Sequence, residues 1–149
     1  MNIDRLAILW SGNPQDRDLG LLGSPMAHAA YLQSYDSVVW DVLLPNARLD
    51  RFEFPMSGYI YSTDVSRVTH RARVKGMYQG VPAEVRSALP PWRTLEVHTR
   101  ELDEYVSILM DQLDMMYPWR KLSDFTKENG EAVQAPPRKG YVVVLDPLY

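Results

Sequence analysis

Four basic side chains follow one another in one short stretch of a chain that is weakly acidic overall. Arg67, Arg71, Arg73 and Lys75 lie between positions 58 and 78, where Asp64 is the sole acid, so four positive charges and one negative give +3. The 149 residues together carry −3. Lys and Arg are the side chains that neutralise phosphates in nucleic acids. The grouping therefore indicates a local site for an anionic partner.

The same stretch predicts two β-strands joined by a polar turn. On the second strand, apolar residues lie on one face and basic residues on the other. In a strand, successive side chains point to opposite faces. We expect the basic face to bind phosphates through Arg71, Arg73 and Lys75. We expect His70, on the apolar face, to make a buried hydrogen bond rather than a ligand contact. The apolar face holds Val68, His70, Ala72, Val74 and Gly76, and the other Thr69, Arg71, Arg73, Lys75 and Met77.

Several kinds of chemistry have no signature in the sequence. The glycines fit neither the P-loop nor the dinucleotide fingerprint. The three histidines, His28, His70 and His98, do not stand at metal-ligand spacing, and there is no cysteine. Ser11 lacks the preceding glycine of a hydrolase nucleophile turn. We therefore predict a non-catalytic protein with no metal and no cofactor.

Length and composition favour one domain over residues 1–149. A chain of this size builds a hydrophobic core without disulfides. The absence of cysteine fits a reducing compartment, no apolar run approaches the roughly 20 residues of a membrane helix, and the first residues lack a signal peptide. We expect a cytoplasmic protein without membrane contact.

Local patterns predict a mixed series of elements. Strands are expected at 5–10, 38–44, 92–98 and 141–145 in addition to the two in 58–78, and the last is expected to be buried. Helices are expected from Ser24-Pro25 to about Tyr35, over 81–89, from a Thr99 cap to 116 and over 122–130. The helix ending at 116 rests on an apolar stripe at helical spacing, and Tyr117-Pro118 would end it: Leu102, Tyr105, Val106, Leu109, Met110, Leu113 and Met116. This irregular order predicts an α+β fold, a small curved mixed β-sheet or barrel of about six strands with flanking helices.

Three segments together resemble EVE-type domains of the PUA-like superfamily. The tyrosine-rich segment 58–63 (GYIYST), followed by 68–74 (VTHRARV), is similar to their central strand pair. Segment 6–10 (LAILW) with the loop SGNP is similar to their first strand and loop. Segments 122–130 and 141–145 are similar to their closing short helix and strand.

The resemblance implies a PUA-like fold and a non-catalytic nucleic-acid-binding module. YTH domains and the N-terminal domains of McrB-type restriction subunits are related. Such domains hold a flipped, often modified, base in an aromatic pocket, and a separate ATPase or nuclease is a possible partner. DNA and RNA stay equally open as targets. Carried onto this chain, the base-binding pocket consists of Trp10, Ser11, Asn13, Trp40, Tyr61, Ser62 and Thr63.

Two other classes of function compete with this interpretation. A protein-interaction or assembly module would bind its partner through exposed tyrosines or through the acidic face of the helix expected over 101–116, a stretch that holds five acids and no base. A small-molecule-binding domain, or an enzyme with scattered residues, would need an apolar pocket without a basic rim.

Overall fold

The computed structural model describes residues 5–12, 23–90 and 104–147. These residues form one sheet of six strands, accompanied by helices α1 (Gly23–Leu32) and α2 (Ala83–Arg86) and a short 3-10 helix (Leu122–Asp124). The strands are β1 (Leu6–Ser11), β2 (Val38–Leu43), β3 (Met56–Ser62), β4 (Arg67–Gln79), β5 (Tyr105–Arg120) and β6 (Tyr141–Leu145).

The sheet is mixed and open. Its strand order is β2-β5-β4-β3-β1-β6, so that β4 and β3 are the two central strands and β2 and β6 are the two edges. β1 and β3 run parallel, and the other neighbours pair antiparallel. The predicted small mixed sheet of about six strands is confirmed, whereas among the described residues the sheet does not close into the barrel that was its alternative.

The first face of the sheet carries the larger core. Ile8, Ile60 and Val74 from three neighbouring strands meet there. α1 covers this core, and the imidazole of His28 stacks on the indole of Trp40 with 4.1 Å between ring centroids. The segment 44–52 closes the remaining side with Leu44, Ala47, Leu49 and Phe52.

The described residues cover the second face at its two ends. Near β1 and β3, Phe125 and Val133 from the segment after β5 pack on Tyr59. Near β2, Val81 and Val85 from the α2 segment pack on Val39. Among the described residues neither cover reaches the middle of β4, and we call that part of the second face its open part.

The prediction of a helix that ends at residue 116 is wrong over the residues that the structure describes. Residues 105–120 form the long strand β5, which pairs with both β2 and β4. Val106, Ile108 and Met110 alternate as a strand requires, but Asp111 is an extra residue between the pairs Met110–Val74 and Gln112–Arg73. This β-bulge moves the next first-face residue to Leu113 and thereby creates the spacing of three that suggested a helix. Met116 packs on the second face, so the supposed stripe belongs to two cores.

Other predicted elements are shorter or differently placed. The helix expected over 122–130 is only the 3-10 helix. The Asn129-Gly130 pair interpreted as its end is instead a tight turn, where Gly130 adopts φ +89° and residues 126 and 132 pair antiparallel. The helix expected over 81–89 spans Ala83–Arg86. β6 is a half-buried edge rather than a buried strand. The strand expected at 92–98 lies outside the described residues.

Gly58 marks the closest packing between β3 and β1. A Cβ atom built on Gly58 would lie 2.6 Å from Cζ3 and 2.9 Å from Cη2 of Trp10. Trp10 is fully buried, so its indole has no room to retreat.

We expect Gly58→Ala to destabilise the protein by about 1–3 kcal/mol, because an extra methyl group overpacks a rigid core. Urea unfolding followed by circular dichroism measures this loss. Ser62→Ala, a small change at the half-exposed end of the same strand, is the control. Equal unfolding midpoints for the two variants would contradict the packing argument.

Candidate functional site

The basic residues of β4 lie on the open part of the second face. Arg71, Arg73 and Lys75 are exposed, whereas the intervening Ala72 and Val74 are buried. The predicted alternation of faces is therefore confirmed from residue 70 to residue 74. Thr69 and Met77 depart from it and are buried. Lys75 is an extra residue that has no partner on β5. This β-bulge exchanges the two faces for the residues that follow, so that Met77 points into the first-face core.

A large cavity lies in front of Arg71 and Arg73. Its volume is about 960 Å³, and two further arginines line it: Arg5 from the start of β1 and Arg51 from the segment before β3. We call this cavity the arginine cleft and define it by Arg5, Arg51, Arg71 and Arg73. The cleft also contains Phe54, whose ring is partly exposed to solvent.

Acidic residues reduce the net positive charge of the cleft. Glu53, Asp114 and Asp146 line it beside the four arginines, so that four positive and three negative charges leave +1. Asp114 stands directly opposite Arg71 in the β4–β5 pairing. The carboxylate of Asp146 accepts a hydrogen bond of 2.5 Å from the hydroxyl group of the fully buried Tyr59. Burial and this bond raise the pKa of Tyr59 well above its ordinary value, so the phenol remains a protonated donor.

The arginines have partners that an anionic ligand could replace. Arg71 donates a 2.9 Å hydrogen bond to Ser57 Oγ, and Arg73 lies 3.7 Å from the carboxylate of Asp111. Arg51 pairs with Glu128 and also lies over the ring of Phe52, 5.6 Å from its centroid. Such exposed pairs stabilise a fold by less than about 1 kcal/mol. Exchanging one of them for a phosphate therefore costs little.

Lys75 points along the sheet toward β2 rather than into the cleft. Its Nζ donates a 3.3 Å hydrogen bond to Ser37 Oγ, immediately before β2. Of the three residues expected to bind phosphates, the structure brings two into the cavity and leaves the third beside it.

The residues expected to form the base-binding pocket are divided between the two faces. Trp10 and Trp40 meet edge to face in the first-face core, with 5.7 Å between ring centroids, and both are buried. Tyr61 belongs to the second-face core instead. The reason is register: Trp10 pairs with Ile60, so the neighbouring Tyr61 points the opposite way.

The polar members of that set lie near the ends of β1 and β3. The Ser11 hydroxyl group donates a 2.7 Å hydrogen bond to the Pro137 carbonyl, which attaches the end of β1 to the 135–140 loop. Ser62 is the last residue of β3, and Thr63 follows in the exposed turn. Asn13 lies outside the described residues.

One polar atom inside the tryptophan pair has no hydrogen-bond partner. The indole Nε1 of Trp10 is buried and, among the described residues, unsatisfied. A buried donor left without an acceptor costs about 1–3 kcal/mol. The tryptophan pair therefore offers a hydrogen-bond donor to any acceptor that enters beside it.

Sequence reasoning missed Arg5, Arg51 and Phe54. They come from two segments that are distant along the chain and meet only because β1 and β3 pair in parallel, with their starts at the same end of the sheet. Their one sequence signal is weak: residues 51–54 alternate charged and aromatic side chains.

The described residues contain no group of three His, Asp or Glu side chains suited to hold a metal ion. Over the same part of the chain, no helix has the length and apolar character needed to cross a membrane. Comparison with protein-family models, curated proteins and solved structures finds no match. The geometry of the chain itself is thus the basis for a functional proposal.

His70 is buried beside the cleft, as predicted, and 3% of its surface is exposed. Its Nδ1 lies 2.7 Å from Thr69 Oγ1. Burial lowers the pKa of His70 from 6.5 to about 4, although the Asp114 carboxylate opposes the shift. The imidazole is therefore neutral at pH 7.

We expect His70 to make stability depend on pH in one direction. Between pH 6.5 and about 4 the unfolded chain binds a proton that the folded protein does not. The free energy of unfolding is therefore not reduced by His70 above pH 6.5. It falls on acidification below that pH, by at most about 1.4 kcal/mol per pH unit. Urea unfolding of wild type and His70→Asn at several pH values isolates the effect. Parallel pH profiles for the two proteins would contradict it.

Proposed function

We propose that this chain is a non-catalytic nucleic-acid-binding module that holds a phosphate backbone in the arginine cleft. The observation that carries the proposal is the alignment of Arg71 and Arg73 on a part of the sheet that no other described segment covers, facing a cavity that Arg5 and Arg51 also line. Arginine suits this role because its planar guanidinium group donates two parallel hydrogen bonds to phosphate oxygens.

Phe54 adds a feature that phosphate binding alone does not need. Its ring is 37% exposed in the same cavity as the four arginines. An aromatic ring beside arginines can stack on a base while the guanidinium groups contact the backbone. This combination favours a nucleic-acid strand over an isolated inorganic anion.

We further propose a PUA-like, EVE-type function, in which a flipped or modified base enters beside Trp10 and Trp40. Support comes from the unsatisfied indole N–H of Trp10, which would donate to a base carbonyl or ring nitrogen. Since both tryptophans are buried, the base would have to displace part of the cover on the first face. A base loses stacking and pairing when it leaves a duplex, at a cost of a few kcal/mol, and contacts in the pocket must offset that cost.

A small phosphorylated or carboxylated molecule is a second candidate ligand for the cleft. The cavity volume of about 960 Å³ lies within the range typical of small-molecule sites. The two candidates differ in their response to salt, because a strand that neutralises several phosphates releases several counterions. A cytoplasmic location and a separately encoded ATPase or nuclease partner also belong to the proposal.

The proposal is tested by a binding screen with short single- and double-stranded DNA and RNA, with and without methylated bases, at two salt concentrations. We expect salt-dependent binding and a preference for one modified base. Binding of small phosphorylated molecules but of no oligonucleotide at low salt would reject the nucleic-acid function.

We expect Arg71→Ala/Arg73→Ala to weaken oligonucleotide binding and to reduce the slope of log K against log salt by about 1.4–1.8, two contacts at 0.7–0.9 each. Fluorescence anisotropy titrations at several salt concentrations measure both effects. Arg48→Ala/Arg86→Ala is the matched control, since it removes two exposed charges that do not line the cleft. The same loss in both double variants would show a general charge effect and contradict the site.

We expect Trp10→Phe to keep backbone binding and its salt slope but to lose preference for a modified base, by about 3- to 10-fold. The change retains an aromatic ring and removes the N–H donor, and one neutral hydrogen bond contributes about 0.5–1.5 kcal/mol. Competition titrations with paired modified and unmodified oligonucleotides measure the preference, after a thermal melt has confirmed folding. An unchanged preference would place the base elsewhere.

A further inference from the structure

β5 contains a second, larger interruption that neither the fold nor the arginine cleft requires. Between the pairs Met115–His70 and Arg120–Val68, four residues of β5 (116–119) lie opposite the single residue Thr69. We call residues 117–119 the aromatic bulge, because they are Tyr117, Pro118 and Trp119. Met116 anchors the bulge in the second-face core.

The aromatic bulge exposes two large rings to solvent. Tyr117 is 82% exposed and Trp119 is 42% exposed. By contrast, Trp10, Trp40 and Tyr59 of the same sheet are almost completely buried. An exposed tyrosine and tryptophan two residues apart provide flat surfaces that suit contact with another aromatic group.

The charges around the bulge favour an anionic partner. Arg120 and Lys121 follow the bulge directly in the chain, and Arg67 precedes Val68, the partner of Arg120. Asp124 is three residues after Lys121, and one of its carboxylate oxygens accepts a 3.1 Å hydrogen bond from the backbone N–H of Lys121. Exposed rings next to arginines and a lysine are the combination that binds unpaired bases.

The bulge continues directly from the arginine cleft. Met115 and Met116 line the cleft and immediately precede Tyr117. Arg120 pairs with Val68, which is three residues along β4 from Arg71. Three residues of a strand span about 10 Å, so a chain bound in the cleft can reach the bulge.

We propose that the aromatic bulge stacks on unpaired bases of a single-stranded segment whose phosphates occupy the arginine cleft. This inference rests on the proposed nucleic-acid function and makes the substrate class more specific. The arginines contact the backbone of paired and unpaired strands alike, whereas rings can stack only on bases that are not already stacked in a duplex. Tyr117 and Trp119 therefore select the single strand.

The test compares binding of a fluorescein-labelled single strand and of a duplex hairpin of the same base composition by anisotropy. Tyr117→Ala/Trp119→Ala removes both rings, and Tyr117→Phe/Trp119→Tyr retains a ring at each position. Because Tyr117 is 82% exposed, its single Tyr117→Ala change leaves packing intact and serves if the double variant does not fold. Tyr35→Ala removes an exposed ring elsewhere, at 57% exposure, and is the matched control.

We expect the double alanine variant to bind the single strand about 10-fold or more weakly. Its duplex affinity should change less than about 2-fold, and the ring-retaining variant should bind as wild type does. Equal losses on both probes, or no loss while Arg71→Ala/Arg73→Ala still weakens binding, would overturn the inference and leave the proposed function standing. Failure of wild type to bind either probe at low salt would reject both.

Discussion

The pairing of β4 with a strand on each side is the constraint on which the rest of the structure depends. β4 pairs with β3 along one edge and with β5 along the other, and with β3 it forms the centre of the described sheet. Its backbone can therefore pair in both directions, and the pairing fixes Ala72, Val74 and Met77 toward the first face. The same pairing holds the cations of β4 outward, because a strand cannot rotate one side chain without its neighbours.

Bulges adapt this central strand to its surroundings. Asp111 on β5 and Lys75 on β4 are single extra residues on opposite sides of the same pairing, and they restore the register between them. Asp111 thereby comes within 3.7 Å of Arg73, while Lys75 turns away toward β2. The separation of Lys75 from the arginines of the cleft thus follows from one inserted residue rather than from a change of side-chain type.

The sequence pattern was enough to predict burial where a strand alternates strictly, but not where a bulge interrupts the alternation. Residues 70–74 alternate without interruption, and their burial could be predicted from the sequence. The strand β5 could not be predicted from the sequence, because its bulges place apolar residues three apart, and that spacing is typical of a helix. The two tryptophans could be expected to meet, but placing Tyr61 with them required the register of β1 against β3, which depends on contacts between distant segments. Arg5 and Arg51 escaped prediction for the same reason.

The two edge strands of the sheet are partly paired with other segments of the chain. On β6, the amide of Leu145 donates to Thr126 and residue 127 pairs with Val144, so the segment after β5 already occupies part of this edge. On β2, the amide of Val39 donates to Ala88, beside α2. Covered edges resist the strand-to-strand addition that leads to domain swapping and fibrils. The chain thereby uses its own segments to occupy part of each edge, and at Val39, Val144 and Leu145 the backbone is not available for pairing with another copy.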